Sequence, residues 1–396
     1  LATLRSVLRG RKRSPRTDAE TQMRDLWSLI LQVETESIGI DDSFFRLGGD
    51  SIAAMKLVGE ARKAGIALAV ADIFRHPVLA AQASIQASGK ALTLEEQTVM
   101  PFSLLGDVTQ ATDISRDLAS ICGTDPSLID DAYPCTPLQQ GLLSLTQKRT
   151  GDYMMQAVLE ISNNVDVASF KAAWGEVLSA APILRTRIVQ HSRLGLVQVV
   201  CSEHIEWGHA TNLEQYLDED KAEPMGLGDK LSRFTLVNQG PNHPLVFVWT
   251  LHHALYDGWS FPLTVEIASK AYRGDDLGKR TEFNAFVEEF MSESKQYDAD
   301  KYWQSYLSNA DFEPFPPVQV SAQQPHADQS VGCSFQLPTK SEVTASTMLR
   351  GALAIVLSQY GVSNDIVFGA TVSGRNASIA GIETIIGPTI ATVPVR

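Results

Sequence analysis

The chain has 396 residues, 44% of them hydrophobic and 20% charged. That balance supports two or three globular cores at about 150 residues each and excludes wholesale disorder. A total of 33 Lys and Arg against 46 Asp and Glu leaves a net charge of −13, which repels nucleic acid and anionic membrane, so neither is an expected partner.

The charge is uneven. Arg5, Arg9, Arg11, Lys12, Arg13 and Arg16 crowd into residues 1–16 with no acid among them, which reads as a solvated linker. The first residue is Leu, so this segment is expected to be a joint inside a longer polypeptide. No apolar run approaches the roughly 18 residues a bilayer needs, and no apolar stretch or small-residue cleavage pattern follows the basic residues. A cytoplasmic location is the expectation. Cys122, Cys135, Cys201 and Cys333 are scattered with no C-x-x-C pair, which signals neither a disulfide framework nor a zinc site and leaves them as small core residues.

From Thr17 to about Gln86 the apolar residues fall at helical spacing. Met23, Leu26, Trp27, Ile30 and Leu31 predict one helix, and Ile52, Met55, Leu57, Val58 and Ala61 predict a second that Gly65 ends. Short segments from Val70 and near Val78–Ile85 complete a four-helix bundle. Residues 87–129 read as a linker with a short helical stretch near Ile114–Ile121. Thr136-Pro137 then supplies an N-cap and a first-turn proline for a helix through Leu138, Leu142 and Leu145. Strand-like runs at Tyr153–Ile161, Leu184–Val189, Leu196–Val200, Phe234–Val237 and Leu245–Leu251 alternate with helices near Val167–Leu178 and Phe261–Tyr272, which predicts a layered α/β or α+β domain. A long helix from Glu342 to Tyr360 and a strand at Ile366–Val372 open a second lobe.

Two constellations carry chemistry. In the first, Phe44-Phe45-Arg46-Leu47-Gly48-Gly49-Asp50-Ser51-Ile52 sets two glycines, an acid and a serine before a helix. The glycines permit a tight turn, and a serine at a helix N-terminus lies where free N–H groups and the macrodipole favour a phosphate ester. A lone G-G-D-S is more often an ordinary turn with a capping serine, but here it sits inside a small helical bundle. Neither G-x-G-x-x-G nor a P-loop lysine is present. The string resembles the carrier domain of nonribosomal peptide synthetases over residues 17–86. The resemblance implies 4′-phosphopantetheine attached covalently to Ser51, with Gly49 and Asp50 in the same site, and a phosphopantetheinyl transferase as partner.

In the second, Leu251-His252-His253-Ala254-Leu255-Tyr256-Asp257-Gly258-Trp259-Ser260 follows an apolar strand and precedes a helix. An imidazole titrates near neutrality and can accept a proton from an attacking amine, which makes His253 the candidate base. His252 reads as a packed core residue. No further His, Cys or Asp cluster supports a metal site, and Ser260 lacks the nucleophile-elbow context of a hydrolase. The HHxxxDG pattern resembles the condensation domains of nonribosomal peptide synthetases, whose fold is shared with chloramphenicol acetyltransferase. Ala132-Tyr133-Pro134 through Leu142 looks like the opening motif of that family, in its fungal form. Ile183-Leu184-Arg185-Thr186 resembles the second, although Ala180-Ala181 stands near where the family has Arg-His. Residues 372–376 and 386–396 look like second-lobe motifs.

The resemblance implies His253 as the catalytic residue and a structural Asp257 paired with Arg375, with Gly258 leaving room for the thioester. The fold class expected is multidomain: an all-α carrier bundle and a two-lobed α/β (α+β) domain with the second lobe incomplete. The boundaries expected are a linker at 1–16 from an upstream adenylation domain, the carrier at 17–86, a linker at 87–129 and the condensation domain at 130–396, its first lobe reaching about 300–310. The implied activity is acyl transfer from an aminoacyl or peptidyl thioester to an amine, with a downstream or in-cis carrier as further partner. Macrocyclising release, epimerisation and a non-catalytic docking platform are the alternatives that the order of domains leaves open.

Overall fold

The computed structural model describes residues 12–87, 98–106, 111–312, 315, 329–336, 343–361, 363–377 and 379–396. Most of the basic 1–16 segment, parts of the 87–129 linker and Glu342 therefore lie outside the described residues. The chain divides into two compact units, Leu1–Leu94 with Asp300–Ser378 and Thr392–Arg396, and Glu95–Ala299 with Ile379–Ala391. No helix among the described residues is long and apolar enough to cross a membrane.

In the first unit, α1 (Asp18–Leu31), α2 (Ser51–Lys63), α3 (Val70–Arg75) and α4 (Leu79–Ala87) form the bundle. Thr17 and Glu20 close a capping box that starts α1, and its apolar stripe buries Met23 and Trp27 against Phe44, Leu57, Ile73 and Leu79. The indole N–H of Trp27 would be stranded in that core. It donates to Gln82 Oε1 at 3.0 Å, and Gln82 in turn donates to His76 O at 3.0 Å. The loop ahead of α2 is stitched to the start of α4: Phe44 N donates to Pro77 O (2.7 Å), Leu79 N to Asp42 O (3.1 Å) and Ala80 N to Ile40 O (3.0 Å). The bundle thus fixes the turn that carries Ser51. Later in the same unit come helix Ala345–Tyr360, capped by Thr344, and the strand Phe368–Val372, paired with Ala391–Val395, whose residues from Thr392 belong to this unit.

The second unit opens with α5 (Ala111–Cys122) and holds two sheets. β1 (Ile129–Pro134), β4 (Gly195–Cys201) and β3 (Thr186–His191) form an antiparallel three-stranded sheet in the order β1-β4-β3. The other has the order β2-β7-β6-β5, with β2 (Met154–Ile161), β7 (Leu245–His252) and β6 (Ser232–Val237) antiparallel and β5 (Trp207–Ala210) parallel to β6. One face of this sheet meets α7 (Val167–Ala180), where Trp174 packs its ring against Phe234, Phe247 and Trp249 at centroid distances of 5.6, 5.1 and 4.8 Å. The opposite face combines an apolar cluster, Val237, Val246 and Val248 against Leu213 and Leu217, with one buried charge. Asp220 of α8 (Leu213–Ala222) accepts from Gln156 Nε2 (2.6 Å), Arg233 Nε (2.7 Å) and Thr250 Oγ1 (2.7 Å), so its charge is paired and fully hydrogen-bonded. With helices on both faces, β7 is buried along nearly all of its length and delivers the histidine pair at its C-terminal end.

Several sequence expectations are corrected. The run Leu184–Val189 is not one strand: Pro182 opens a 3-10 turn over Pro182–Arg185, and β3 starts only at Thr186. Strands β1 and β5, the strand Ala391–Val395, and helices α8, α10 (Phe283–Met291) and α11 (Glu293–Tyr306) were not expected. Cys122, Cys135 and Cys201 are buried, but Cys333 is exposed and is no core residue.

Candidate functional site

The two constellations lie in different units. In the first unit, Gly48 adopts φ 99° and ends the short turn Phe45–Leu47. Gly49 is buried with its α-carbon against the Phe44 ring and carbonyl, so any side chain there would collide with both. The helix α2 is capped by Asp50, whose carboxylate accepts from Ala53 N at 2.7 Å. The cap is therefore the residue before Ser51, and the exposed Ser51 hydroxyl is not consumed in closing the helix. A cavity of about 350 Å³ beside it is lined by Thr344, Ser346, Leu349 and Arg350 among others. An exposed hydroxyl at a helix N-terminus, opening on a cavity that Arg350 also lines, fits a phosphodiester-linked arm.

In the second unit, His252 and His253 alternate sides at the end of β7 and meet opposite environments. His252 is fully buried. Its Nδ1 accepts from Ala254 N (3.0 Å), so Nε2 carries the proton and donates to Thr146 Oγ1 (2.8 Å) on α6 (Pro137–Lys148). Burial, assisted by neighbouring His253, pushes the pKa of His252 down to about 4, so this imidazole stays neutral near pH 7.

His253 is half-buried and takes the other tautomer. Its backbone N donates to Tyr153 O (2.8 Å), and its Nδ1 lies 2.9 Å from the carbonyl of Tyr256, which can only accept. In the Nδ1–H tautomer that this contact selects, Nε2 is the nitrogen that can accept a proton. Tyr153, which supplies the backbone anchor, has φ 59°, a conformation uncommon outside glycine.

Asp257 is buried, and both of its carboxylate oxygens accept hydrogen bonds. Its Oδ1 accepts from Trp259 N (3.1 Å) and Ser260 N (2.8 Å), which starts α9 (Ser260–Arg273). Its Oδ2 accepts from Thr389 N (3.0 Å) and Thr389 Oγ1 (3.1 Å). One carboxylate thus ties the histidine loop both to the next helix and to a segment 132 residues further along the chain. Gly258 is exposed, and a β-carbon there would meet open space. Arg375 is buried and belongs to the first unit.

Supports that the motif reading did not single out complete the loop. Gln139, fully buried at the start of α6, donates from Nε2 to Gln198 Oε1 (2.8 Å) and to Ala254 O (3.0 Å). The signal was present: a glutamine three residues after the capping Thr136 also closes a capping box. A separate cavity of about 480 Å³, lined by Arg187, Glu203, Lys230 and Arg233 among others, shares no residue with the histidine loop. Among the described residues there is no group of three or more His, Cys, Asp or Glu able to hold a metal ion.

Both parts of the chain are similar to known proteins. A condensation-domain profile matches residues 129–396, and a phosphopantetheine attachment site profile matches residues 21–84. Peramine synthetase ppzA of Metarhizium majus is 45% identical over 100% of this chain and 14% of its own length. Nonribosomal peptide synthetase dtxS1 of Metarhizium robertsii is 44% identical over 100% of this chain and 5% of its own. The chain thus spans a small part of these relatives. Among solved structures, a protein described as CT, in selenomethionine form, aligns with a TM-score of 0.59 at 23% identity, covering 75% of this chain and 68% of that one. A starter condensation domain of rhizomide synthetase RzmA aligns at 0.53 and 18% identity, covering 74% and 68%. At these identities the structures establish the fold. The chain belongs to the condensation-domain family, joined on its N-terminal side to a phosphopantetheine carrier domain as in fungal nonribosomal peptide synthetases.

Proposed function

We propose that the chain presents an aminoacyl or peptidyl thioester from Ser51 and forms an amide bond at His253. The observation that carries this reading is the bond between His253 Nδ1 and the Tyr256 carbonyl, which leaves Nε2 as the nitrogen that can accept a proton. When bound, phosphopantetheine supplies the thiol that holds the acyl group. Within the chain, His253 orients the amine and receives the proton it sheds as the C–N bond forms. His252 and Asp257 hold the loop without touching the reacting atoms, and Gly258 leaves room for the thioester. The partners in this reading are an adenylation domain that loads the carrier, a phosphopantetheinyl transferase, and a second carrier bringing the amine.

The test begins with coenzyme A and a broad-specificity phosphopantetheinyl transferase, followed by peptide mass measurement at Ser51. In a separate sample the unmodified carrier is loaded by the same transferase from alanyl-coenzyme A and offered alanyl N-acetylcysteamine thioester. A linear dipeptide, reduced about 10²–10⁴-fold in His253→Ala, is the expected result. A cyclic product or an inverted α-carbon would replace condensation by release or epimerisation. Equal rates in the two proteins would return the domain to a docking role.

A further inference from the structure

The HHxxxDG pattern leaves position 256 unspecified, yet this residue grips the imidazole in two directions at once. We propose that Tyr256 is a positioning residue for His253. The inference rests on His253 acting at the amine, as argued above.

The two rings lie nearly parallel, with centroids 4.7 Å apart and planes inclined by 14°. The carbonyl of the same tyrosine lies 2.9 Å from His253 Nδ1. The carbonyl acts in the plane of the imidazole: a half-turn about the Cβ–Cγ bond would put a carbon where Nδ1 stands and break the bond. The phenol ring acts perpendicular to that plane, covering one face and opposing any tilt. Together they leave one orientation for Nε2.

The clamp is itself anchored. Tyr256 packs at 6.2 Å and 59° against Phe261 in the first turn of α9, and Phe261 stacks at 5.5 Å and 18° on Trp249 of β7. Trp249 is fully buried, and its indole N–H donates to Ser232 Oγ at 3.0 Å. A continuous row of aromatic rings therefore runs from the interior of the four-stranded sheet to the imidazole. Burial pushes the Tyr256 phenol up to about 12, so it is neutral across the working range and contributes its flat face, not a charge. Catalytic groups must be held to within about 10–20° of the productive geometry, and such a row supplies that rigidity.

If Tyr256 merely fills space, leucine replaces it; if the flat ring matters, only an aromatic does. Tyr256→Phe and Tyr256→Leu are compared in the loaded full chain, with His253→Ala as reference. The expected result is a kcat within about 2-fold of the parent for Phe and a loss of about 10-fold or more for Leu, with KM for the alanyl thioester amine nearly unchanged and the same unfolding temperature. A second readout needs no activity. Long-range ¹H–¹⁵N spectra of histidine-labelled protein should show His253 as the Nδ1–H tautomer in the parent and in Tyr256→Phe, and as a tautomer mixture in Tyr256→Leu. A leucine variant with parental kcat and a single tautomer overturns the proposal, as does a phenylalanine variant as impaired as the leucine one. If His253→Ala keeps full activity, the condensation reading fails, and the tautomer spectra alone decide whether Tyr256 orders the ring.

Discussion

The turn at Ser51 and the loop at His253 both join a structured segment to the start of a helix, yet they are built in opposite ways. At Ser51 the surrounding bundle holds the backbone, Asp50 closes the helix, and the hydroxyl is left exposed. At His253 the side chain itself is held, through Nδ1, through the Tyr256 ring and through the backbone bond to Tyr153, while Gln139 and Asp257 fix its neighbours. A residue that receives a long flexible arm from another enzyme needs access more than orientation. A residue that meets a reacting atom needs its lone pair aimed in advance.

That contrast can be broken at several points. The largest effect is at Ser51: Ser51→Ala should abolish the phosphopantetheine adduct completely while leaving thermal unfolding within about 0.5 kcal/mol of the parent, because the cap belongs to Asp50 and the site is on the surface. Loss of stability on that substitution would show that the hydroxyl serves the fold. Next comes Asp257→Ala, which strands the buried N–H groups of Ser260 and Thr389 and should cost about 3–5 kcal/mol in chemical denaturation.

The third effect is pH-dependent. The folded-state pKa of His252 lies below its unfolded value, so the unfolded chain binds the proton more readily. The stability of the neutral buried form is full above about pH 6.5 and falls as pH drops from there toward about 4, by about 3 kcal/mol at the bottom of the window. Unfolding measured at pH 4.5 and pH 7 should show this slope in the parent and a shallower one in His252→Asn; parallel slopes would refute it. The smallest effect is at Asp50: Asp50→Ala removes the α2 cap and should lower bundle stability by about 1 kcal/mol, whereas Asp50→Ser should recover most of it, as read by urea melts.

Periodic elements were legible because their apolar spacing is a direct imprint of burial on one side. The stripe of Met23 and Trp27 and the apolar run of β7 are read correctly for that reason. α8 was missed because its sequence, LEQYLDEDKA, is largely polar and its one buried residue is the charged Asp220. β5 is four residues long, contains Gly208 and His209, and exists through its parallel pairing with β6. Cys333, counted with the core on residue type alone, is exposed.

The candidate sites divide along the same line. Sequence alone determined the bundle, the α/β alternation, the turn before Ser51 and the position of the histidine pair at a strand end, since all of these follow from short-range steric preference and periodic burial. Only tertiary structure decided which partners and which tautomer each of the two adjacent histidines has. Their chain neighbours are nearly the same, but Thr146 and the Ala254 N–H hold one ring neutral and buried, while the Tyr256 carbonyl and ring leave the other with a free Nε2. A tautomer is set by which donor or acceptor stands opposite each nitrogen, and partners such as Thr146, 106 residues away in the chain, are brought there by packing.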